Sequence, residues 1–233
     1  MKTKYIVGTL ALAWTVSAVA QAGEIPEKQL QSPPAVLESA AAGTVVFDDD
    51  GGRAQIIPHQ AVPKREPSFH GGPVVTGASV QALFLGSGWR EKANRAMESR
   101  ALESLTRQAS GSGLPGMPGM PGALQEDLLD PLDGKAVSDL EIQRRLDALV
   151  TSGHEPVDAG VVFVVFLAPG LRSTLGTSSS EKDFAAYHNH YHSAAGVVRY
   201  VVVPYEGESS RWLGNARASL AQTLMNPEGN AWY

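Results

Sequence analysis

The stretch GVVFVVFLAPG, from Gly160 to Gly170, is an unbroken apolar run dense in β-branched residues. A strand with one wet face alternates polar and apolar side chains. A run with no polar position is what a strand buried on both faces looks like. It is therefore expected at the centre of a sheet, and its neighbours must supply the rest of that sheet and the layers that cover it.

The flanking segments fit that demand. In FHGGPVVTGASVQALFLGSGW, Val80, Ala82 and Phe84 alternate with Gln81, Leu83 and Leu85 in a predicted strand closed by Gly86-Ser87-Gly88. A helix is predicted from about Glu91 to Gln108, with Ala93, Met97, Ala101 and Leu105 on one stripe. A second helix starts at Ser138, where SDLE places Glu141 as the partner of a capping box, and runs through Ile142, Leu146 and Leu149 to Ser152-Gly153. GVVRYVVVPY, Gly196 to Tyr205, reads as a further strand. The last helix ends at Asn226-Pro227, with Leu213, Leu220 and Leu224 spaced to face the sheet. The order β, α, α, β, histidine segment, β, α predicts an α/β fold: a layered domain with a central mixed or parallel β-sheet flanked by helices.

Ahead of this domain, taken as residues 69–233, two segments differ in character. Lys2 and Lys4 precede an apolar run from about Tyr5 to Ala18, and small residues at Ala18, Ala20 and Ala22 suit peptidase cleavage, so residues 1–22 read as a signal peptide. The run is shorter than the roughly 20 residues that span a bilayer, so the expectation is a secreted or periplasmic protein with no membrane insertion. Residues 23–68 form an N-terminal arm in which TVVFDDDGGRAQIIP has two β-prone runs flanking Asp50-Gly51, the pattern of a hairpin. Asp48, Asp49 and Asp50 lack the alternating ligands and distant glutamate of a calcium loop and read as a solvated turn. Within the domain, the Gly/Met/Pro-rich stretch at 111–122 has too few triplets for a collagen helix and reads as an extended surface loop.

Composition closes off several functions. The chain has no cysteine, which removes disulfides, thiolate metal sites and a thiol nucleophile. Loss of Lys2 and Lys4 leaves 17 basic against 24 acidic residues, with the basic ones scattered, so no nucleic-acid partner is expected. Oligomeric state leaves no trace in the sequence.

AAYHNHYHSA, from Ala185 to Ala194, holds three of the six histidines. Ser180 and Asp183 form a plausible capping box, which would make the segment a short helix with His188 and His192 on one face. On a strand, His188, His190 and His192 would all project from one side. Three readings follow: the histidines are metal ligands, with zinc the cofactor; they exchange protons; or Phe184, Tyr187 and Tyr191 pack on the sheet while the histidines cap or face solvent and no cofactor is bound. At i, i+4 the zinc-peptidase pattern places a glutamate between two histidines, and here Asn189 stands there, which cannot take a proton from metal-bound water. His70, before a glycine pair at the start of a core strand, joins Tyr187 and Tyr191 as a candidate ligand-binding residue. Ser87 in LGSGW does not fit a nucleophile elbow, and GSG lacks the rest of a phosphate-binding fingerprint. Trp89, Trp212, Tyr205 and Trp232 are candidates for a sugar-stacking platform as well as for packing.

FHGGPVVTGASVQALFLGSGW, AAYHNHYH with VRYVVVPY, and NARASLAQTLMNPEGNAWY together resemble the phosphate-induced, Exordium-like secreted proteins of plants and their bacterial relatives. The His-Gly-Gly-Pro turn and the Asn-Pro-x-Gly-Asn ending are the more specific marks. The resemblance implies an exported protein, connected in plants with cell growth and nutrient response. Some bacterial relatives carry His-Glu-x-x-Glu on the closing helix, where this chain has Ala218, Ser219 and Gln222, so the resemblance brings no ligand or base there. Plant members also carry cysteines, which this chain lacks. The reading is an exported, non-enzymatic protein whose partner is a cell-surface component or a small-molecule ligand. The alternative is a metal-dependent hydrolase using His188, His190 and His192, with a base such as Asp183 or Glu206.

Overall fold

The computed structural model describes residues 44–47, 53–59, 70–75, 78–111, 128–129, 135–153, 160–207 and 209–231. The expectations for residues 1–22, for Asp48 to Asp50, for the Pro/Gly repeat beyond Gly111 and for Trp232 lie outside them.

The apolar run is strand β6 (Val161–Leu167), and every one of its residues is buried. It lies between β3 (Ser79–Leu85) and β10 (Gly196–Val203), parallel to both. Each fully buried Val or Phe contributes about 1.5–3 kcal/mol of transfer free energy, so this strand has few stable alternatives to a central position. Outward from β10 come β9 (Phe184–Ser193), β2 (Arg53–Pro58) and β1 (Thr44–Phe47), each antiparallel to the last; beyond β3 lies β4 (Leu128–Leu129). The sheet is therefore mixed, in the order β1-β2-β9-β10-β6-β3-β4. The hairpin formed by β1 and β2 adds its second strand directly to β9, within the principal sheet. A smaller sheet holds β5 (Ala136–Ser138), β7 (Arg172–Leu175) and β8 (Ser178–Ser179) in the order β5-β7-β8.

Helices cover both faces, which gives the layered α/β fold. Helix α1 (Arg95–Gly111) and helix α3 (Ser209–Met225) pack on one face, through Ala101, Leu105, Trp212, Ala216, Leu220 and Leu224 against Val80, Val162, Val164 and Val201. Helix α2 (Asp139–Thr151) packs on the other, through Ile142, Leu146 and Val150 against Leu83, Phe163 and Val165. The start of α2 is the expected one: Ser138 Oγ accepts from the Glu141 amide at 3.2 Å. Helix α1 starts later than its pattern predicts. Ser87–Arg90 forms a 3₁₀ turn, and exposed Ala93 lies in the turn that precedes the helix. Gly86 makes that turn feasible, with φ +112° and an ideal Cβ only 2.9 Å from the Ala168 methyl.

Candidate functional site

The histidine segment is strand β9, not a helix. Its β-branched and aromatic neighbours on β10 pair with it from Tyr187↔Val202 to Ser193↔Gly196, and this hydrogen-bonded frame overrides the local capping signal. Ser180 and Asp183 shape the entering turn instead: the Ser179 amide donates to Asp183 Oδ2 at 2.8 Å, and the Ser173 amide to Ser180 Oγ at 2.9 Å. A strand sends alternate side chains to opposite faces. Tyr187, Asn189 and Tyr191 therefore face α2, while His188, His190 and His192 face the α3 side.

On the α2 face, the odd residues close around one carboxylate. Asp139, wholly buried in the first turn of α2, accepts at Oδ1 from the Tyr187 and Tyr200 hydroxyls, each at 2.7 Å. At Oδ2 it accepts from Gln143 Nε2 at 2.9 Å and Asn189 Nδ2 at 3.1 Å. Two donors per oxygen fill the roughly four lone-pair sites of a carboxylate. Burial first, then the Asp139 charge, pushes the Tyr200 hydroxyl well above its ordinary range, so it stays a donor. Tyr187, expected to meet a ligand, is thus fully enclosed with its hydroxyl committed. Tyr191 is half-buried, and burial followed by the Asp147 charge raises its hydroxyl too.

The α3 face holds the histidines in three environments. His188 is buried, His190 half-buried and His192 exposed. The His188 Nε2–H donates to the Asn226 carbonyl at 3.2 Å, which leaves Nδ1 as the unprotonated nitrogen. Burial pushes His188 down to about 4, only partly offset by that hydrogen bond and aided by the charge of His190. The rings of His190 and His192 stand 6.2 Å apart at 78°. A zinc ligand set needs at least three nitrogen or oxygen donors within about 2.0–2.2 Å of one point. Among the described residues no three His, Asp or Glu side chains are grouped to hold a metal ion. The expectation of a His188, His190 and His192 zinc site therefore finds no support.

His70 is exposed, and its amide donates to the Ala231 carbonyl at 2.8 Å. The Ala231 amide in turn donates to Asn226 Oδ1 at 2.7 Å, and the Gly229 amide to the Asn226 carbonyl at 3.1 Å. Gly72 packs so closely on this turn that an ideal Cβ would sit 2.5 Å from the Ala231 nitrogen. The His-Gly-Gly-Pro and Asn-Pro-x-Gly-Asn stretches, far apart in the chain, thus form one backbone lock beside His188. The sugar-stacking expectation fails for two of its members. Trp89 and Trp212 are buried in the α1/α3 core, with Trp89 Nε1–H donating to the Phe166 carbonyl at 3.1 Å.

Another group was less visible in the sequence. Where β2, β10 and β6 end, all running in one direction, the chain leaves an open crevice of about 360 Å³. His59 follows β2, Pro204, Tyr205 and Glu206 follow β10, Gly170 and Leu171 follow β6, and Arg172 opens β7. Ser180, Glu181 and Arg211 complete the wall. His59 Nε2 meets the Ser180 carbonyl at 2.9 Å, and its Nδ1 lies 3.2 Å from Glu206 Oε1, an ion pair when the imidazole is protonated. Asn215 Nδ2 donates to the other Glu206 oxygen at 3.1 Å. Arg172 Nη1 donates to Glu181 Oε2 at 2.5 Å. Sequence spacing gave no warning of this, since His59 and Glu206 lie in separate strands' exits. The one available signal was that such exits on neighbouring parallel strands gather together.

Comparison with protein-family models, with curated proteins and with solved structures finds no match to this chain.

Proposed function

We propose that this chain is an exported, Exordium-like protein that works by binding rather than by hydrolysis, and that its ligand sits in the crevice at the ends of β2, β10 and β6. One observation carries the reading. The crevice lies outside the carboxyl ends of parallel strands, the usual ligand position of open α/β sheets, and its side chains are held in place by contacts among themselves. Export is supported by the Lys2/Lys4, apolar-run and small-residue pattern at the N-terminus. The partner is a small ligand or an element of the cell surface.

The carboxylates available as bases support binding over hydrolysis. Asp183 accepts a backbone amide, and Glu206 is engaged by His59 and Asn215. No helix among the described residues is long and apolar enough to cross a membrane.

The test is a fragment library screened by amide chemical shifts on isotope-labelled full-length protein. Saturable shifts are expected at Leu171, Arg172, Tyr205 and Glu206. Hits confined to the outer end of β9, around His190 and His192, would move the site and defeat the reading.

A further inference from the structure

We infer that the ligand of this crevice, whose role as the binding site is the reading above, is a neutral polyhydroxylated molecule about one or two sugar rings in size. The volume, about 360 Å³, is at the low end of the roughly 300–1,000 Å³ that ligand clefts span.

Charge sets the class. Two arginines and two glutamates line the crevice with His59: Arg172 is paired with Glu181, Glu206 lies against His59, and Arg211 is not free either. An ionic ligand would have to displace one of these partners and desolvate itself for little net gain. A neutral ligand need not. The guanidinium carries five N–H donors and the carboxylate about four acceptor sites, while the Arg172–Glu181 contact uses one of each. Both side chains are about half exposed, at 47% and 56%, so donors and acceptors stand side by side facing the crevice. Neighbouring hydroxyls on a sugar ring, each able to donate and accept, match that arrangement.

The remaining wall is ring surface. Both nitrogens of His59 already face protein partners, so what it offers a ligand is the flat of the imidazole. The Tyr205 hydroxyl donates to the Gly207 carbonyl at 3.1 Å, and its ring is braced edge-on against buried Trp212, 5.4 Å away at 74°. Pro204 and Leu171 add apolar surface. Hydroxyl-matching groups beside such surfaces suit a molecule with a C–H face and a hydroxyl rim.

The experiment titrates labelled full-length protein separately with methyl β-glucoside, methyl β-galactoside, cellobiose, galacturonate, citrate and inorganic phosphate. Saturable shifts at Leu171, Arg172, Tyr205 and Glu206 are expected from at least one neutral sugar. Arg172→Met and Glu181→Gln, both at exposed positions, should each weaken that binding by about tenfold or more, the loss expected of a charge-assisted hydrogen bond. Arg145→Met, in an i, i+4 pair on α2 outside the crevice lining, should leave it unchanged. Saturation by an anion and by no neutral sugar would overturn the inference while keeping the crevice as a site. So would neutral-sugar shifts located elsewhere. No saturation by any probe would overturn it too, and the fragment screen then decides separately whether the crevice binds at all.

Discussion

Two carboxylates sit near opposite faces of the same sheet, and they are built differently. Asp139 is sealed, with two donors on each oxygen. Glu206 keeps 13% of its side chain exposed and has one aligned donor, Asn215, plus the looser contact to His59. A saturated, dry carboxylate rigidifies a fold, because removing it strands every donor around it. A partly used one at a crevice contributes little to stability and keeps capacity for a ligand. The difference teaches that burial and saturation together, not residue type, separate the structural polar cluster from the binding one.

The sharpest way to break this comparison is Asp139→Ala. Two tyrosine hydroxyls and two amides would lose a buried acceptor, so a loss of about 3–5 kcal/mol is expected from denaturant melts. A loss under about 1 kcal/mol would show that the cluster is not the keystone described. Leu220→Ala provides an apolar yardstick on the α3 face: about 2–5 kcal/mol for a wholly buried leucine. If it costs less than a surface substitution, α3 does not cover the sheet as described.

Next in size is a pH effect from His188. Its folded value of about 4 lies below the unfolded 6.5, so the unfolded chain binds the extra proton first. Stability from this group is intact above about pH 6.5, declines as pH falls and is fully lost below about 4, about 3 kcal/mol in all. Comparing wild type with His188→Gln from pH 7 to 4 isolates it: the wild-type curve should fall more steeply. Parallel curves would mean that His188 is not held neutral. The smallest effect belongs to the crevice. Arg172→Met should change stability by no more than about 1 kcal/mol, since both partners of its ion pair are exposed. A larger loss would make the pair a fold element and blur the contrast with Asp139.

Much of the architecture was legible before any coordinates. The apolar run at β6, the capping box at Ser138 and the Asn226-Pro227 stop each announce one local state, and local and tertiary forces agree there. The histidine stretch stayed open between helix and strand because its capping signal, worth about 1 kcal/mol, competes with a ladder to β10 that no local pattern reveals. Asp139 carries no mark in the sequence beyond its place in the SDLE stretch. Its importance comes from Tyr187, Asn189 and Tyr200, which lie 48 to 61 positions away.

By itself, then, the sequence determined a layered α/β fold with β6 inside the sheet, because hydrophobic burial acts on each segment's own pattern. Tertiary structure alone decided which polar residues meet. Strand order brought His59 beside Glu206 and the His-Gly-Gly-Pro turn beside the chain's Asn-Pro-x-Gly-Asn end, since hydrogen bonds act over about 3 Å and depend on through-space neighbours that sequence distance does not encode.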